Sequence, residues 1–384
     1  MLNFTYNAIL KINNKIEKYG YFFKCFSVRE RTINLAEIKN MDAVAALDAM
    51  DAHVDDWRDA VKGKQRGIFS FDDVAALKIK NLKKRIYTDI ESIPAWKMKE
   101  CIYKGVDDYE YLYDEWKEID VGDRWGNNGW SAFFKNSFDM PERFKGKKVT
   151  LNVYFGGDSL LTLNGVPYQG LDPFRNSVLL TDCANGDEHY DVDIESYYVW
   201  HSNESTVKTL SCSFIGVVDP EIEEAYWDFK AIFNALFMPV HDTGLAELIR
   251  AALKEAFTFV DFDLTGEEFK AGLRQAQQVL KDKVYNNPAY KSEGTLALVG
   301  NSHLDIVFMW AYKEYIRKLG RTHATMLRLM EQYDDFIFSQ SSAPTYIEMA
   351  NRYPALYEQV KKRIAEGRWE YIGAMWVEPD CNLV

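Results

Sequence analysis

The clearest alternation in the chain is VTLNVYF, residues 149–155, where Val149, Leu151, Val153 and Phe155 take one side and Thr150, Asn152 and Tyr154 the other. A period of two belongs to a strand and predicts one buried and one wetter face. LLTL follows and runs into Asn164-Gly165, a pair that tolerates the positive φ angles of a tight hairpin turn. Gly126, Gly129, Gly146, Gly156, Gly157, Gly165 and Gly170 punctuate short aromatic and β-branched runs, the texture of an antiparallel sheet. A β-sandwich over residues 119–218 is therefore predicted. Upstream, residues 1–118 are charge-rich, with helix-like pieces at 42–62 and 73–87, and read as a helical or irregular lead-in.

After residue 218 the period changes. Leu245, Leu248, Ile249 and Leu253 show helical spacing with acidic residues opposite, which predicts a helical connector over 219–292. TLALVG, residues 295–300, is a continuous apolar run, the signature of a strand buried on both faces in a parallel sheet. Tyr312, Tyr315, Ile316, Leu319, His323, Met326, Leu327 and Met330 then recur at three- and four-residue steps, so a long helix lays one stripe on that sheet. FIFS (336–339) and WEYIG (369–373) supply two more strands, with helical segments between them broken by Pro354 and closed by Gly367. Strand, helix, strand, helix, strand over residues 293–384 is a parallel α/β unit with right-handed crossovers.

The 384 residues are enough for two or three domains. Lys plus Arg number 46 against 58 Asp plus Glu, a net charge of −12 that repels phosphate backbones and anionic lipid, so neither nucleic acid nor membrane is an expected partner. No window approaches the apolar length of a membrane span or of a signal peptide core. Cys25, Cys101, Cys183, Cys212 and Cys381 lie far apart without a CxxC pair, which argues for reduced thiols and a cytoplasmic setting rather than a disulfide framework or zinc knuckle. Aromatic residues make up 15% of the chain, a content suited to ring-stacking ligands such as sugars.

Active sites of parallel α/β domains form at the carboxyl ends of the strands, and the residues leaving TLALVG are Asn301-Ser302-His303-Leu304-Asp305. An imidazole and a carboxylate two residues apart suit two ligands of a divalent metal; an ordinary hydrogen-bonded pair has the same spacing. The blocks GNSHLDIVFMW, FSQSSAPTYIEMANRYPALYEQVKKRIAEGRWEYIG and AMWVEPDCN follow one another. In that order they resemble the start of the catalytic domain of glycoside hydrolase family 38, the α-mannosidases. GDRWG (122–126) and FGGDSLLTLNGVPYQGLD resemble the N-terminal sandwich of the family's cytosolic and vacuolar branch. The resemblance spans residues 119–384.

It implies a fold in which the sandwich is followed by the first β/α units of an incomplete (β/α) barrel. The implied activity is metal-dependent, retaining hydrolysis of terminal α-mannosyl residues in oligosaccharides, with one divalent ion, zinc or in some members cobalt. His303 and Asp305 match the family's first two metal ligands. Phe308 stands where family members usually have a tryptophan against the sugar, and Trp376, Glu378, Asp380 and Asn382 match a block that lines or braces the pocket. Glu378 and Asp380 equally suit a helix cap or an arginine partner. The family's catalytic nucleophile belongs to a segment beyond Val384, so these residues alone are expected to be inactive. The missing C-terminal part or a second copy of the chain is the expected partner.

A second reading from another class keeps the aromatic-rich sandwich as a non-catalytic carbohydrate-binding or scaffold module with a vestigial half-site. A metal-dependent sugar deacetylase shares a His/Asp site, and WVEPDCN and the upstream sandwich argue against it. His323 falls on the apolar stripe and reads as a core histidine. Asp182, Asp187, Glu188, Asp191 and Asp193 lack the order of a calcium loop and read as a solvated loop.

Overall fold

A computed structural model describes residues 70–197, 207–236, 243–288, 296–308, 310–373 and 375–377. The helix expected at 42–62, with most of the lead-in, lies outside the described residues. Helix α1 (Phe71–Lys84) opens on a capping box: the Ser70 hydroxyl accepts from Asp73 N–H while the Asp73 carboxylate accepts from Ser70 N–H.

The strands begin directly after it, earlier than residue 119. Strands β1 (Tyr87–Ser92), β2 (Trp96–Gly105), β3 (Asp108–Tyr111), β4 (Lys117–Ile119) and β5 (Arg124–Trp125) precede β6 (Ser131–Asp139). Lys97, Lys99 and Lys104 give β2 a charge-rich texture, yet its Trp96, Met98, Cys101 and Tyr103 are buried. The residues counted as lead-in thus supply one core-facing side and one wet side of a sheet. Then come β7 (Lys148–Tyr154), β8 (Asp158–Leu163), β9 (Val166–Leu171), β10 (Ser177–Thr181), β11 (His189–Tyr197), β12 (Lys208–Thr209) and β13 (Cys212–Val218).

Two antiparallel sheets face each other. One has the order β1-β13-β7-β10, the other β3-β2-β6-β11-β8-β9 with β4 also on β2. Val149, Leu151, Val153, Ile215 and Val217 from the first meet Phe134, Ile194, Leu161 and Trp96 from the second in one core. Phe134 stacks on Phe155 with centroids 3.8 Å apart, and the buried indole Trp96 Nε1 donates to Ser213 Oγ at 2.8 Å. The hairpin predicted at Asn164-Gly165 is present, joining β8 to β9 with φ of 50° and 80°.

The wetter face expected on 149–155 is not wet: Thr150, Asn152 and Tyr154 are buried as well. The side chain of Tyr87 covers them and donates to Asn152 Oδ1 at 2.7 Å, while Asn152 Nδ2 donates to Thr150 Oγ1 at 3.0 Å. A polar face can be buried where its groups satisfy one another. Gly216 makes room for this cover, since a Cβ there would lie 2.5 Å from Tyr87 Cδ1.

Helices α2 (Pro220–Ala235), α3 (Thr243–Ala256) and α4 (Gly266–Leu280) pack with α1 around Phe229, Leu253, Leu273 and Leu82. Three short parallel strands follow, β14 (Gly300–Asn301), β15 (Phe338–Ser341) and β16 (Trp369–Ile372), ordered β14-β15-β16. Helix α5 (Tyr312–Gln332) links the first two, and α6 (Ala343–Arg352) and α7 (Pro354–Ala365) the last two. The expected burial of 295–300 on both faces is not found. Leu296, Leu298 and Val299 are exposed, and only Gly300 and Asn301 pair with β15. An apolar run becomes buried only where neighbours cover it, and among the described residues none does.

Helix α5 does more than cover this small sheet. Its apolar stripe, with Ala324, Leu327 and Met330, meets Phe338, Met349, Val360 and Trp369. Its opposite side lies on β8 and β9, where Glu314, Arg317 and Thr325 are buried too. The helix is wedged between the sandwich and the α/β unit.

Candidate functional site

The site is assembled where β14 stops. Asn301 Nδ2 donates to Ser339 O of β15 at 3.0 Å, which ends the pairing and sends the chain into the loop carrying His303 and Asp305. His303 Nε2 and Asp305 Oδ1 lie 3.0 Å apart, and both side chains are about half-exposed. Trp310 Nε1 donates to Asp305 O at 3.2 Å, pinning the loop to the start of α5. The adjacency expected from the sequence is therefore present, in the form of a polar pair at the carboxyl end of a parallel strand.

An imidazole nitrogen and a carboxylate oxygen are the donor chemistry that zinc takes, and here the two atoms face each other at 3.0 Å. A tetrahedral sphere needs more than two donors. Among the described residues there is no cluster of three or more His, Cys, Asp or Glu side chains that could hold an ion. The pair fits two positions of a metal sphere, and the remaining donors would be water or groups outside the described residues.

Phe308 is 65% exposed and meets Trp310 edge-on with centroids 5.7 Å apart, so it is no core side chain. Trp376, beyond β16, is likewise 65% exposed. Large rings left in water at the carboxyl ends of β14 and β16 are available to a ring-shaped ligand. Glu378, Asp380 and Asn382 lie outside the described residues.

Sequence reasoning missed the end of β15. Ser342 takes φ of 72° without being glycine, it is buried, and its hydroxyl has no hydrogen-bond partner; Gln340 Oε1, one turn of the pleat earlier, is also buried without one. Backbone strain of this kind gathers at functional sites. The available signal was the serine pair ahead of Pro344, which leaves the strand next to the one that leads to His303.

His323 is a core residue, as its place on the stripe predicts. Its ring is fully buried, stacks on Trp369 at 5.3 Å, and its Nδ1 faces Leu319 O at 2.7 Å, the geometry of a donated hydrogen bond. Burial pushes its pKa down to about 4. Of the acidic residues read as a loop, Asp191 and Asp193 instead lie on β11, while Glu188 oxygens accept from the backbone N–H of Asn185 and Gly186 at 2.6 and 2.9 Å.

Residues 293–384 match the model of the glycosyl hydrolases family 38 N-terminal domain, and residues 89–231 match the Ams1-like α-mannosidase jelly roll domain. The second match begins near β1, in keeping with the early start of the sheets. Human alpha-mannosidase 2C1 is 25% identical over 286 residues, covering 71% of this chain and 27% of the relative. Alpha-mannosidase G of Dictyostelium discoideum is 24% identical over 296 residues, covering 73% and 27%. The alpha-mannosidase of Saccharomyces cerevisiae is 27% identical over 86 residues, covering 22% and 8%. The chain thus spans about a quarter of the length of the first two of these relatives. The chain resembles, in succession, a jelly roll of the α-mannosidase type and the N-terminal domain of glycosyl hydrolases family 38.

Proposed function

We propose that these residues form the jelly roll and the first β/α units of the catalytic barrel of an α-mannosidase. The reaction is metal-dependent hydrolysis of terminal α-mannosyl residues in oligosaccharides with retention of configuration. The observation that carries this reading is the His303–Asp305 pair at the carboxyl end of β14, the place where parallel α/β enzymes hold their chemistry. His303 Nε2 and Asp305 Oδ1 would hold one divalent ion, Zn2+ or Co2+. When bound, that ion supplies a template for sugar hydroxyls and stabilisation of developing charge. Phe308 and Trp376 offer exposed ring faces to the apolar side of a sugar. Glu378, Asp380 and Asn382, which follow β16 in the sequence, are assigned to sugar binding. Because the chain spans about a quarter of its first relatives, hydrolysis is proposed for the whole protein. Metal and sugar contacts alone are assigned to the residues in hand, which are expected to be inactive by themselves. A cytoplasmic setting accords with the free thiols Cys101, Cys183 and Cys212.

Calorimetric titration of the 384-residue chain with Zn2+ tests the assignment. Two protein donors leave most of the sphere to water, so binding no tighter than roughly micromolar is expected, lost in His303→Ala and weakened in Asp305→Asn. Zinc binding unchanged in His303→Ala would refute the role given to the pair.

A further inference from the structure

Where the start of α5 crosses the end of the sandwich, a cavity of about 280 Å³ opens. Tyr154, Tyr197 and Trp310 line it with ring surface, and Asp158, Glu314, Lys208 and Lys318 with charge. None of these residues belongs to the pair at His303 and Asp305.

The charges decide what the cavity can take. Glu314 is already neutralised by Arg317 and Arg321, each at 2.5 Å. Asp158 Oδ2 is 3.7 Å from Lys318 Nζ and 3.9 Å from Arg321 Nη2, too long for hydrogen bonds, so its oxygens keep acceptor capacity. Lys318 Nζ lies 4.4 Å over the Trp310 ring and retains donors. An anion would meet the Asp158 carboxylate, and a cation would meet the ammonium groups of Lys208 and Lys318. A neutral ligand that both donates and accepts, and that has an apolar face for the rings, is opposed by none of them. A pyranose ring has those properties and suits the volume. Trp310 also ties the cavity to the loop of the metal pair through its bond to Asp305 O.

We propose that this cavity binds one pyranose ring of a neutral oligosaccharide, at a subsite separate from His303 and Asp305. The choice of a mannoside rests on the function proposed above; the preference for a neutral polyol rests on the cavity alone.

Titration of the 384-residue chain with methyl α-mannopyranoside and with a mannobiose, followed by calorimetry and tryptophan fluorescence, tests this. Saturable binding is expected, weakened at least about tenfold by Asp158→Ala and by Lys318→Met, as the loss of a charge-assisted hydrogen bond predicts. Both variants should keep the zinc affinity of the parent chain. Asp158 is half-exposed, and an unchanged unfolding midpoint in Asp158→Ala separates lost contact from lost fold.

No saturable binding by the parent chain, parental affinity in both variants, or tighter binding of inorganic phosphate than of either saccharide would overturn the proposal. So would saccharide binding that is abolished by His303→Ala and untouched by Asp158→Ala. Zinc binding indifferent to His303→Ala, with saccharide binding still dependent on Asp158, would remove the metal assignment and leave this subsite standing.

Discussion

The backbone N–H of Gly170 in β9 donates to Thr325 Oγ1 of α5 at 3.0 Å. This contact brings helix and sheet so close that a Cβ on Gly170 would lie 2.8 Å from Arg321 O and 3.0 Å from Thr325 Oγ1. Glycine is needed here for space. Gly170→Ala is expected to push α5 off the sheet at a cost of about 1–3 kcal/mol. Thr325→Val, which keeps the shape and leaves the Gly170 N–H unpaired, should cost about 1–2 kcal/mol. Urea unfolding of both variants checks the order.

Arg317 makes the polar counterpart of that contact. It is buried between the rings of Tyr103 and Tyr197, at 3.9 and 4.1 Å from their centroids. Its Nη1 donates to Ser131 Oγ at 2.8 Å and to Glu195 Oε1 at 3.1 Å, and its Nε to Glu314 Oε2 at 2.7 Å. Removing one partner of a buried pair leaves the others uncompensated, so Arg317→Ala is expected to destabilise by about 3–5 kcal/mol. Arg317→Met combined with Glu314→Gln should cost less than the sum of the single changes. Strict additivity in a double-mutant cycle would show that the two residues do not act as a unit.

Much of this was legible in the sequence and some was not, for physical reasons. The Asn164-Gly165 hairpin, the α5 stripe and the His303–Asp305 adjacency follow from local rules: turn chemistry, helical period, and spacing after a strand. Burial of Thr150, Asn152 and Tyr154 depends on Tyr87, more than 60 positions away in sequence, as the Tyr87–Asn152 bond shows. Glu314 and Arg317 look like a solvated i,i+3 pair until the sandwich closes over them. The early strands were hidden because Lys97 and Lys99 sit on the wet side of β2. Ser342 carries its signal in a backbone angle, which residue type does not encode.

His323 gives the fold a pH dependence whose sign can be worked out. Burial lowers its folded pKa from 6.5 to about 4. Between those values the unfolded chain binds a proton that the folded chain does not, so stability falls as pH drops from about 6.5 toward 4 and levels off below. The slope approaches about 1.4 kcal/mol per pH unit within the window. His323→Gln, which cannot be protonated there, should lose less stability than the parent chain between pH 7 and pH 5. Equal losses in urea titrations would show that His323 is not the group responsible.

The wedged position of α5 predicts how protection is distributed along the last third of the chain. Short parallel strands with an open side would by themselves make this region the first to open, since Leu296, Leu298 and Val299 are exposed and Tyr371 and Ile372 stand uncovered on β16. Helix α5 is held differently. Its Tyr315, Leu319 and Leu327 are buried, and Gly170 and Glu195 of the sandwich bond to its Thr325 and Arg317. Opening the helix therefore means breaking a buried ion network and an interface, so its amides should exchange on the timescale of the sandwich strands β7 and β13. Residues 296–299 should exchange fast. Gly170→Ala should speed exchange in α5 and leave α2 unchanged, because the close neighbours of Gly170 are Arg321 and Thr325 of α5. If α5 amides in the parent chain exchange as fast as those at 296–299, the sandwich does not hold the helix in solution, and the anchoring role given to Arg317 and Gly170 fails.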